Sequence, residues 1–451
     1  MPNVTEMHIG IDDTDSPHGM CTTYFGAILH TLFVKKGFRR LDYPYLVRLN
    51  PNVPFKTRGN GAVSLHFLVP SERLGWVCRI LIRLLDALVE KHGKTKPAIV
   101  IVSKVSRELS VLYRKALVDV IPFSRAERLA AKLRERGELL WHWYKGRGLV
   151  GALAAVGAYP LKLYTYELLL YREVFNRSPK RPVALNEVIE LDRRTRPLTF
   201  ANVDYEKRRV LVSPHGPDPV IAGIRSFDSK ILEKIAPKLK ELWSASLWVI
   251  YKTNQGLNMH LRMNACSGEV RPYQSVRILG TVASEPWVHR GGHVFFKLRG
   301  SSGTVLCAVF KETGKLNTVA RLLRKGDLIE VMGGVSPPSN GVLTVNVEAL
   351  RVLRLVPEIV KAYPRCPVCG GRLSSAGRGK GVKCKRCGYR SMTITPAIRK
   401  RPRVLEPGTY LQSPRAYRHL SVTHRCVTYA GCLGNLVHHV LTLGPGSILG
   451  Q

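Results

Sequence analysis

The sequence predicts a multidomain α/β and α+β protein that ends in an OB-fold β-barrel and a C-terminal zinc ribbon. Three observations carry this. At 451 residues the chain exceeds what one hydrophobic core organises, so it divides into three or four domains. Apolar spacing alternates between helix and strand periods up to about residue 265 and becomes a run of short strands from Ser275. Finally, Cys366-x-x-Cys369 and Cys384-x-x-Cys387 stand fourteen residues apart, a spacing that belongs to metal knuckles rather than to a disulfide framework. The expected domains are 1–148, 149–265, 270–356, 362–392 and a basic tail over 393–451.

The first domain opens on I-G-I-D-D-T-D-S-P-H-G-M-C-T-T-Y, residues 9–24. An apolar strand ends in Asp12, Asp13 and Asp15, whose carboxylates repel one another unless a hard divalent cation, Mg2+, binds them. The alternative is a solvated turn rich in ordinary turn residues. A helix is predicted from Thr23 to Leu32, and the loop-to-helix junction Gly19–Thr23, which includes Thr22, could present backbone N–H groups to a phosphate. A strand is expected over Ala62–Val69, an amphipathic helix over Leu74–Lys91 and a buried strand over Ala98–Val102. Between two strands, the loop Pro54–Gly61 offers Lys56, Arg58 and Asn60 to a phosphate, or is a plain connection. K-G-R-G-L-V-G, residues 145–151, matches G-x-G-x-x-G only formally. Without a βαβ setting, no dinucleotide site follows. Arg147 and Gly148 read as a phosphate-contacting turn, with tight helix packing on Gly151 as the alternative.

In the second domain a helix is expected over Tyr164–Glu173, a strand over Arg209–Ser213, a helix over Ser229–Trp243 and a strand over Leu247–Thr253. The polar loops between these elements suit a small ligand. His215 and His260 read as structural. Five strands and a helix near Leu316–Arg324 then make the barrel. Trp287, Phe295, Lys297 and Arg299 are available to grip single-stranded nucleic acid, and because Phe295 and Phe296 point to opposite faces, at most one fills the barrel. Four thiolates leave a zinc ion no open position, so Cys366, Cys369, Cys384 and Cys387 form a structural site. Lys383, Lys385 and Arg386 beside it are candidate phosphate contacts.

Composition narrows the partners. Seventy Lys and Arg against 32 Asp and Glu leave a net charge of +38, which draws nucleic acid through counterion release. The longest clean apolar stretch, Leu149–Ala158, is too short to span a bilayer. The N-terminus has no secretion-signal pattern, so a cytoplasmic protein is expected, with no membrane and no obligate protein partner.

Five motifs in order, I-G-I-D-D-T-D-S-P-H-G-M-C-T-T-Y, R-L-N-P-N-V-P-F-K-T-R-G-N-G-A, K-G-R-G-L-V-G-A-L-A-A-V-G, G-G-H-V-F-F and S-A-G-R-G-K-G, make the chain resemble the archaeal agmatinylcytidine synthetases, which modify the wobble cytidine of an isoleucine tRNA. The resemblance reaches to about residue 420. It implies a kinase-like first domain and a ferredoxin-like second one. It further implies that ATP phosphorylates the C2 carbonyl of the wobble cytosine in a CAU anticodon, ATP ending as AMP. The amine of agmatine then displaces phosphate, and the modified tRNA decodes AUA. By the same resemblance Asp12, Asp13 and Asp15 are metal-binding acids, and Thr22 is the threonine that becomes phosphorylated. Thr23, Lys56, Arg58, Asn60, Arg147 and Gly148 are then the ATP and phosphate contacts. Agmatine, a cation, needs acidic acceptors, for which Asp218 and Asp228 are the nearest acids in the second domain. Two other classes remain open on the residues alone: a single-strand binding protein, which would bind without ATP turnover, and a metal-dependent phosphoesterase or nuclease.

Overall fold

The computed structural model describes residues 4–16, 19–89, 95–173 and 181–422. Its largest element is a ten-stranded sheet in the order Leu139–Tyr144, Ala98–Val102, Val4–Asp12, Gly61–Pro70, Tyr45–Arg48, Leu247–Thr253, Thr165–Tyr171, Val220–Ser226 and Thr199–Phe200, with Arg39–Arg40 paired to Gly61–Pro70. The expected first and second domains therefore share one sheet. They join where Tyr45–Arg48 runs parallel to Leu247–Thr253, with Lys252 opposite Tyr45 and Thr253 opposite Leu46.

Side-chain alternation explains how both faces of this sheet are covered. On one face Met7, Ile9 and Ile11 pack with Phe25, Val77 and Leu81 from the helices Thr22–Lys35 and Leu74–Leu88. Leu169, Tyr171, Val249 and Tyr251 from the second half belong to the same core. On the other face lies the helix Gly148–Gly157, buried under the helices Arg107–Ala116 and Phe123–Glu135. Its Gly and Ala composition follows from how closely it is pressed. A Cβ on Gly10 would stand 2.0 Å from the Ala152 carbonyl oxygen, so strand and helix backbones touch. The boundary expected after residue 148 thus falls at the start of a helix that packs on the N-terminal half of the sheet.

The segment expected as a helix over Tyr164–Glu173 is the strand Thr165–Tyr171. Its leucines favour a helix in isolation, but this strand lies between two others and is buried on both faces, where an apolar run of strand length packs best. Of the strand expected over Arg209–Ser213, only Arg209–Val210 pairs. The helices Leu185–Thr195 and Ser229–Leu242 cover Leu168, Leu170, Ile224 and Ile250.

The barrel forms as expected from Ser275–Val282, Leu328–Ser339, Val342–Arg354, Thr304–Val309 and Val294–Arg299, and closes where Thr281 and Val282 pair with Arg299 and Leu298. Phe296 fills it at 0 % exposure. The zinc ribbon is an insertion between two strands of this barrel sheet. The chain leaves along Glu358–Ala362, forms the three-stranded knuckle sheet, returns along Ala397–Arg401 and rejoins Val342–Arg354 as Gly408–Leu411. Arg399, Lys400 and Arg401, expected in the basic tail, are strand residues. Residues 423–451 of that tail lie outside the described residues. No described helix is long and apolar enough to cross a membrane, and Leu149–Ala158 is core.

Candidate functional site

The strand Val4–Asp12 ends beside the start of the helix Gly148–Gly157. Asp12 packs directly on that helix, for a Cβ at Gly151 would come within 1.8 Å of Asp12 Oδ2. A Cβ at Gly148 would meet the Lys96 carbonyl at 2.4 Å. Gly148 and Gly151 thus serve close packing, and the packing sets the helix N-terminus, with its partial positive charge, beside the acids. Asp13 adopts a left-handed conformation, φ 56°, which a non-glycine residue holds only where surrounding contacts enforce it. Its Oδ2 accepts the Lys96 N–H at 2.7 Å.

Asp15 turns the other way. Its Oδ1 accepts the Thr22 N–H at 3.0 Å and lies 3.5 Å from Arg58 Nη1, while its Oδ2 accepts the Thr57 hydroxyl at 2.7 Å. Thr57 Oγ1 is also 3.4 Å from Asp13 Oδ1. The Pro54–Gly61 loop therefore latches the acid turn through Thr57, with Arg58 and Asn60 themselves at positive φ. Burial raises the Asp12 carboxyl well above the usual carboxylate range, and Asp13 beside it adds to the rise. Burial raises Asp13 as well.

This turn is the wall between two cavities. The first is lined by Asp12, Asp13, Lys56, Asn60, Arg147 and Gly148. Arg147 stacks on the Phe55 ring with its guanidinium carbon 3.8 Å from the centroid. The second, the larger of the two, is lined by Asp15, Thr22, Thr23, Arg58, Glu167 and Asp218, among others. Thr57 lines both.

The residues expected around one phosphate site are thus divided. Lys56, Asn60, Arg147 and Gly148 face the first cavity with Asp12 and Asp13, whereas Thr22, Thr23 and Arg58 face the second with Asp15. Arg58 is engaged with acids, its Nη1 3.9 Å from Asp218 as well. Asn60 Nδ2 donates to the Asn50 carbonyl at 2.7 Å, a structural bond. Thr22, at 2 % exposure, begins its helix, and its Oγ1 lies 3.2 Å from both the Thr14 amide and hydroxyl.

Among the described residues, only the cysteines form a quartet whose donor atoms all lie within 4.8 Å. Cys366 and Cys387 sulfurs are 3.6 Å apart and those of Cys369 and Cys384 3.5 Å, near the roughly 3.8 Å that tetrahedral zinc with ~2.3 Å bonds requires. Backbone N–H groups of Cys387 and Arg386 lower the Cys384 thiol to about 6. The three aspartates do not converge in this way. Asp12 and Asp13 remain a fit for Mg2+, which takes one or two carboxylates and completes its shell with water and phosphate.

On the barrel, Phe295, Lys297 and Arg299 share the outward face of one strand, and Trp287 stacks on Phe295 at 6.0 Å with a 20° interplanar angle. Trp287 is 41 % exposed. Lys385 and Arg386 are exposed on the second knuckle, and Lys383 is partly so. Of the two acids offered for agmatine, Asp218 lines the second cavity, but Asp228 does not. It caps the helix Ser229–Leu242, accepting the Lys230 N–H at 2.9 Å, because an aspartate before a helix satisfies a free backbone donor first. His215 lies in the cavity bonded to Arg209, and His260 is buried against Glu348 at 3.0 Å.

Arg225, in one of the polar loops expected to read a small ligand, lines the second cavity, whereas sequence reasoning missed Arg48, Glu167, Asp204 and His419, which line it too. Glu167 falls within the segment that reads as a helix. As a strand residue it is buried, paired with Arg225 at 3.2 Å and bonded to Gln255. Arg48 stands within the quoted R-L-N-P-N-V-P motif, the one signal that could have found it.

Comparison with known proteins adds four matches along the chain: the TiaS TCKD domain over residues 8–80, the TiaS FLD domain over 146–260, an OB-fold nucleic acid binding domain over 276–353 and the TiaS C-terminal zinc ribbon domain over 363–405. The isoleucine-tRNA 2-agmatinylcytidine synthetase TiaS of Thermofilum pendens is 48 % identical over 93 % of this chain and 94 % of its own. That of Pyrococcus horikoshii is 40 % identical over 92 % and 96 %. Among solved structures, apo TiaS superposes with a TM-score of 0.80 at 34 % identity, covering 93 % of this chain and 97 % of that one. A TiaS complex with isoleucine tRNA, AMPCPP and agmatine gives 0.76 at 32 % identity, over 93 % and 96 %.

Proposed function

The chain belongs to the TiaS family of isoleucine-tRNA 2-agmatinylcytidine synthetases, and from that premise we propose how its two cavities divide the reaction. The protein is an ATP-dependent ligase that conjugates agmatine to a cytidine of isoleucine tRNA, and its four ribbon cysteines hold structural zinc. It acts on tRNA in the cytoplasm. The first cavity takes the ATP phosphates, with Lys56, Arg147 and the N-terminus of the helix Gly148–Gly157 binding and orienting them. Asp12 and Asp13 hold a divalent cation, Mg2+, which when bound neutralises charge on the transferring phosphoryl group.

The second cavity takes the wobble cytosine, extruded from its loop, together with agmatine. Its acids Asp218, Asp204 and Glu167 accept the cationic ends of agmatine, and its walls exclude water from the activated base. The γ-phosphoryl group of ATP passes across the wall that separates the cavities to O2 of the cytosine, and the β-phosphoryl group passes to the Thr22 hydroxyl, so that ATP ends as AMP. The neutral amine then adds at C2, and phosphate leaves with the former O2. Thr22, whose backbone N–H is held by Asp15, stands on the second-cavity side of that wall as the threonine open to phosphorylation.

One observation carries this reading: the acid turn lies between the cavities, and Thr57 ties its Asp13 side to its Asp15 side. The test uses isoleucine tRNA transcript with the CAU anticodon, ATP, Mg2+ and labelled agmatine. Asp13→Asn should eliminate AMP release and label incorporation while tRNA affinity is kept. Asp218→Asn should raise the KM for agmatine with AMP formation retained. Unchanged agmatine KM in the second variant would place agmatine elsewhere.

A further inference from the structure

The motif S-P-R-A-Y-R-H-L, residues 413–420, reads in sequence as part of a basic tail, yet it closes one side of the second cavity. After the strand Gly408–Leu411 rejoins the barrel, the chain crosses to the catalytic half and is fastened at three places. On the barrel, the Ser413 N–H donates to the Thr313 carbonyl at 2.9 Å, and Arg418 Nη1 is 3.4 Å from Glu348. Along the ferredoxin-like half, the Gly256 N–H donates to the His419 carbonyl at 3.0 Å and the Asn258 N–H to the Leu420 carbonyl at 2.8 Å. At the N-terminal half, Arg418 Nη1 donates to Asn52 Oδ1 at 2.6 Å. Leu420 and Val422 are each 2 % exposed. A segment so bound is part of the fold rather than a tail.

The ring of His419 is held by the cavity's own charged groups. Arg225 Nη2 lies 3.0 Å from His419 Nδ1, with Gln255 Oε1 at 3.0 Å from the same nitrogen. A guanidinium only donates and an amide oxygen only accepts, so Nδ1 serves Arg225 in one tautomer and Gln255 in the other. The same Arg225 holds Glu167 through Nε at 3.2 Å, and Gln255 Nε2 donates to Glu167 as well. The catalytic loop is shaped around the ring. A Cβ on Gly59 would meet His419 Cδ2 at 2.6 Å and Arg48 Nη1 at 2.8 Å. Gly223 likewise leaves space for Glu167, whose Oε1 a Cβ there would approach to 2.8 Å.

We infer that the strap Leu411–Val422 is a working part of the active site and that His419 is a positioning residue, fixing the fork of Arg225 and, through it, the Glu167 carboxylate that faces agmatine. The inference rests on the reading that agmatine occupies the second cavity. Arg225 without the ring has one partner on its fork instead of two, and Glu167 then loses its fixed direction. The strap also links the barrel and zinc ribbon, which grip tRNA, to the wall that receives the amine.

The test compares full-length His419→Ala and His419→Asn with the parent, measuring the KM for agmatine, ATP and isoleucine tRNA. An asparagine amide oxygen sits near the place of Nδ1 and accepts from Arg225. His419→Ala should raise the agmatine KM about tenfold and leave the ATP and tRNA values within about twofold, while His419→Asn recovers most of the loss. An unchanged agmatine KM in His419→Ala, equal losses in the two variants, or a parallel loss for all three substrates would each overturn the inference. If His419→Ala no longer binds tRNA, Arg225→Lys replaces it. That variant keeps the charge beside Glu167 and removes the fork, and a normal agmatine KM would be fatal to the proposal. Asp218→Asn, run alongside, separates the two levels. A normal agmatine KM there refutes the cavity assignment, whereas a raised one with a normal His419→Ala refutes the strap alone.

Discussion

The cysteine knuckles, a donor set for zinc, and the aspartate turn, proposed above as one for Mg2+, are built in opposite ways. The four sulfurs come from two short loops, converge within 4.8 Å of one another and exclude any other ligand. The three carboxylates come from four consecutive positions and yet part company, Asp12 and Asp13 toward one cavity and Asp15 toward the other. The first arrangement closes on its ion and holds a shape. The second stays open, as its proposed contact with substrates requires, and its shape is imposed from outside by Thr57, Lys96 and Gly151. Proximity in sequence therefore produced a finished site in one case and only the raw material of one in the other.

The difference is sharpest at Asp13. Asp13→Asn should lower label incorporation by roughly a thousandfold or more, since charge neutralisation is the main aid to phosphoryl transfer. A gel shift with isoleucine tRNA should be unchanged, and retained turnover would break the comparison. Gly151→Ala comes next. The new methyl cannot occupy the space of Asp12 Oδ2, so the carboxylate must move, and displacement on this scale costs about a hundredfold in kcat. Equal activity would mean that the open site tolerates movement.

Cys384→Ser tests the closed site. Zinc content should fall and tRNA binding weaken by about tenfold, while ATP binding to the first cavity stays normal. Loss of ATP binding would show that the two sites are not separate. The smallest effect concerns stability. Burial raises the Asp12 pKa above its unfolded value of 3.8, so in the metal-free protein stability is present below about pH 4 and is lost as pH rises toward the folded value. Asp12→Asn should therefore raise Tm by about 2 °C at pH 7.5 in EDTA, with the gain absent at pH 4. A lower Tm at pH 7.5 would contradict this.

The same contrast explains what can be read without coordinates. The zinc quartet, the barrel strands and the split between Phe295 and Phe296 depend on local spacing, so they are legible. The presence of an acid turn is legible too, but its division between two cavities is not, because Arg58 and Thr57 choose Asp15 across more than forty residues. Thr165–Tyr171 misleads because its leucines respond to neighbours on both sides that only the sheet supplies. Asp228 has the chemistry of a ligand, but its own helix claims it. His419 gives no sign at all, since its partners Arg225 and Gln255 lie at least 164 residues away.

The parallel pairing of Tyr45–Arg48 with Leu247–Thr253 has a consequence for biogenesis. Its two strands are separated by about 200 residues, which at ~5–20 residues per second leaves the N-terminal strand without its second neighbour for ~10–40 s of synthesis. During that interval Y-L-V-R offers unpaired N–H and C=O groups, the kind of edge that recruits other chains. Nascent molecules on one polysome are therefore the ones at risk of mispairing, and the last stretch of the ferredoxin-like half to emerge acts as the cap that ends it.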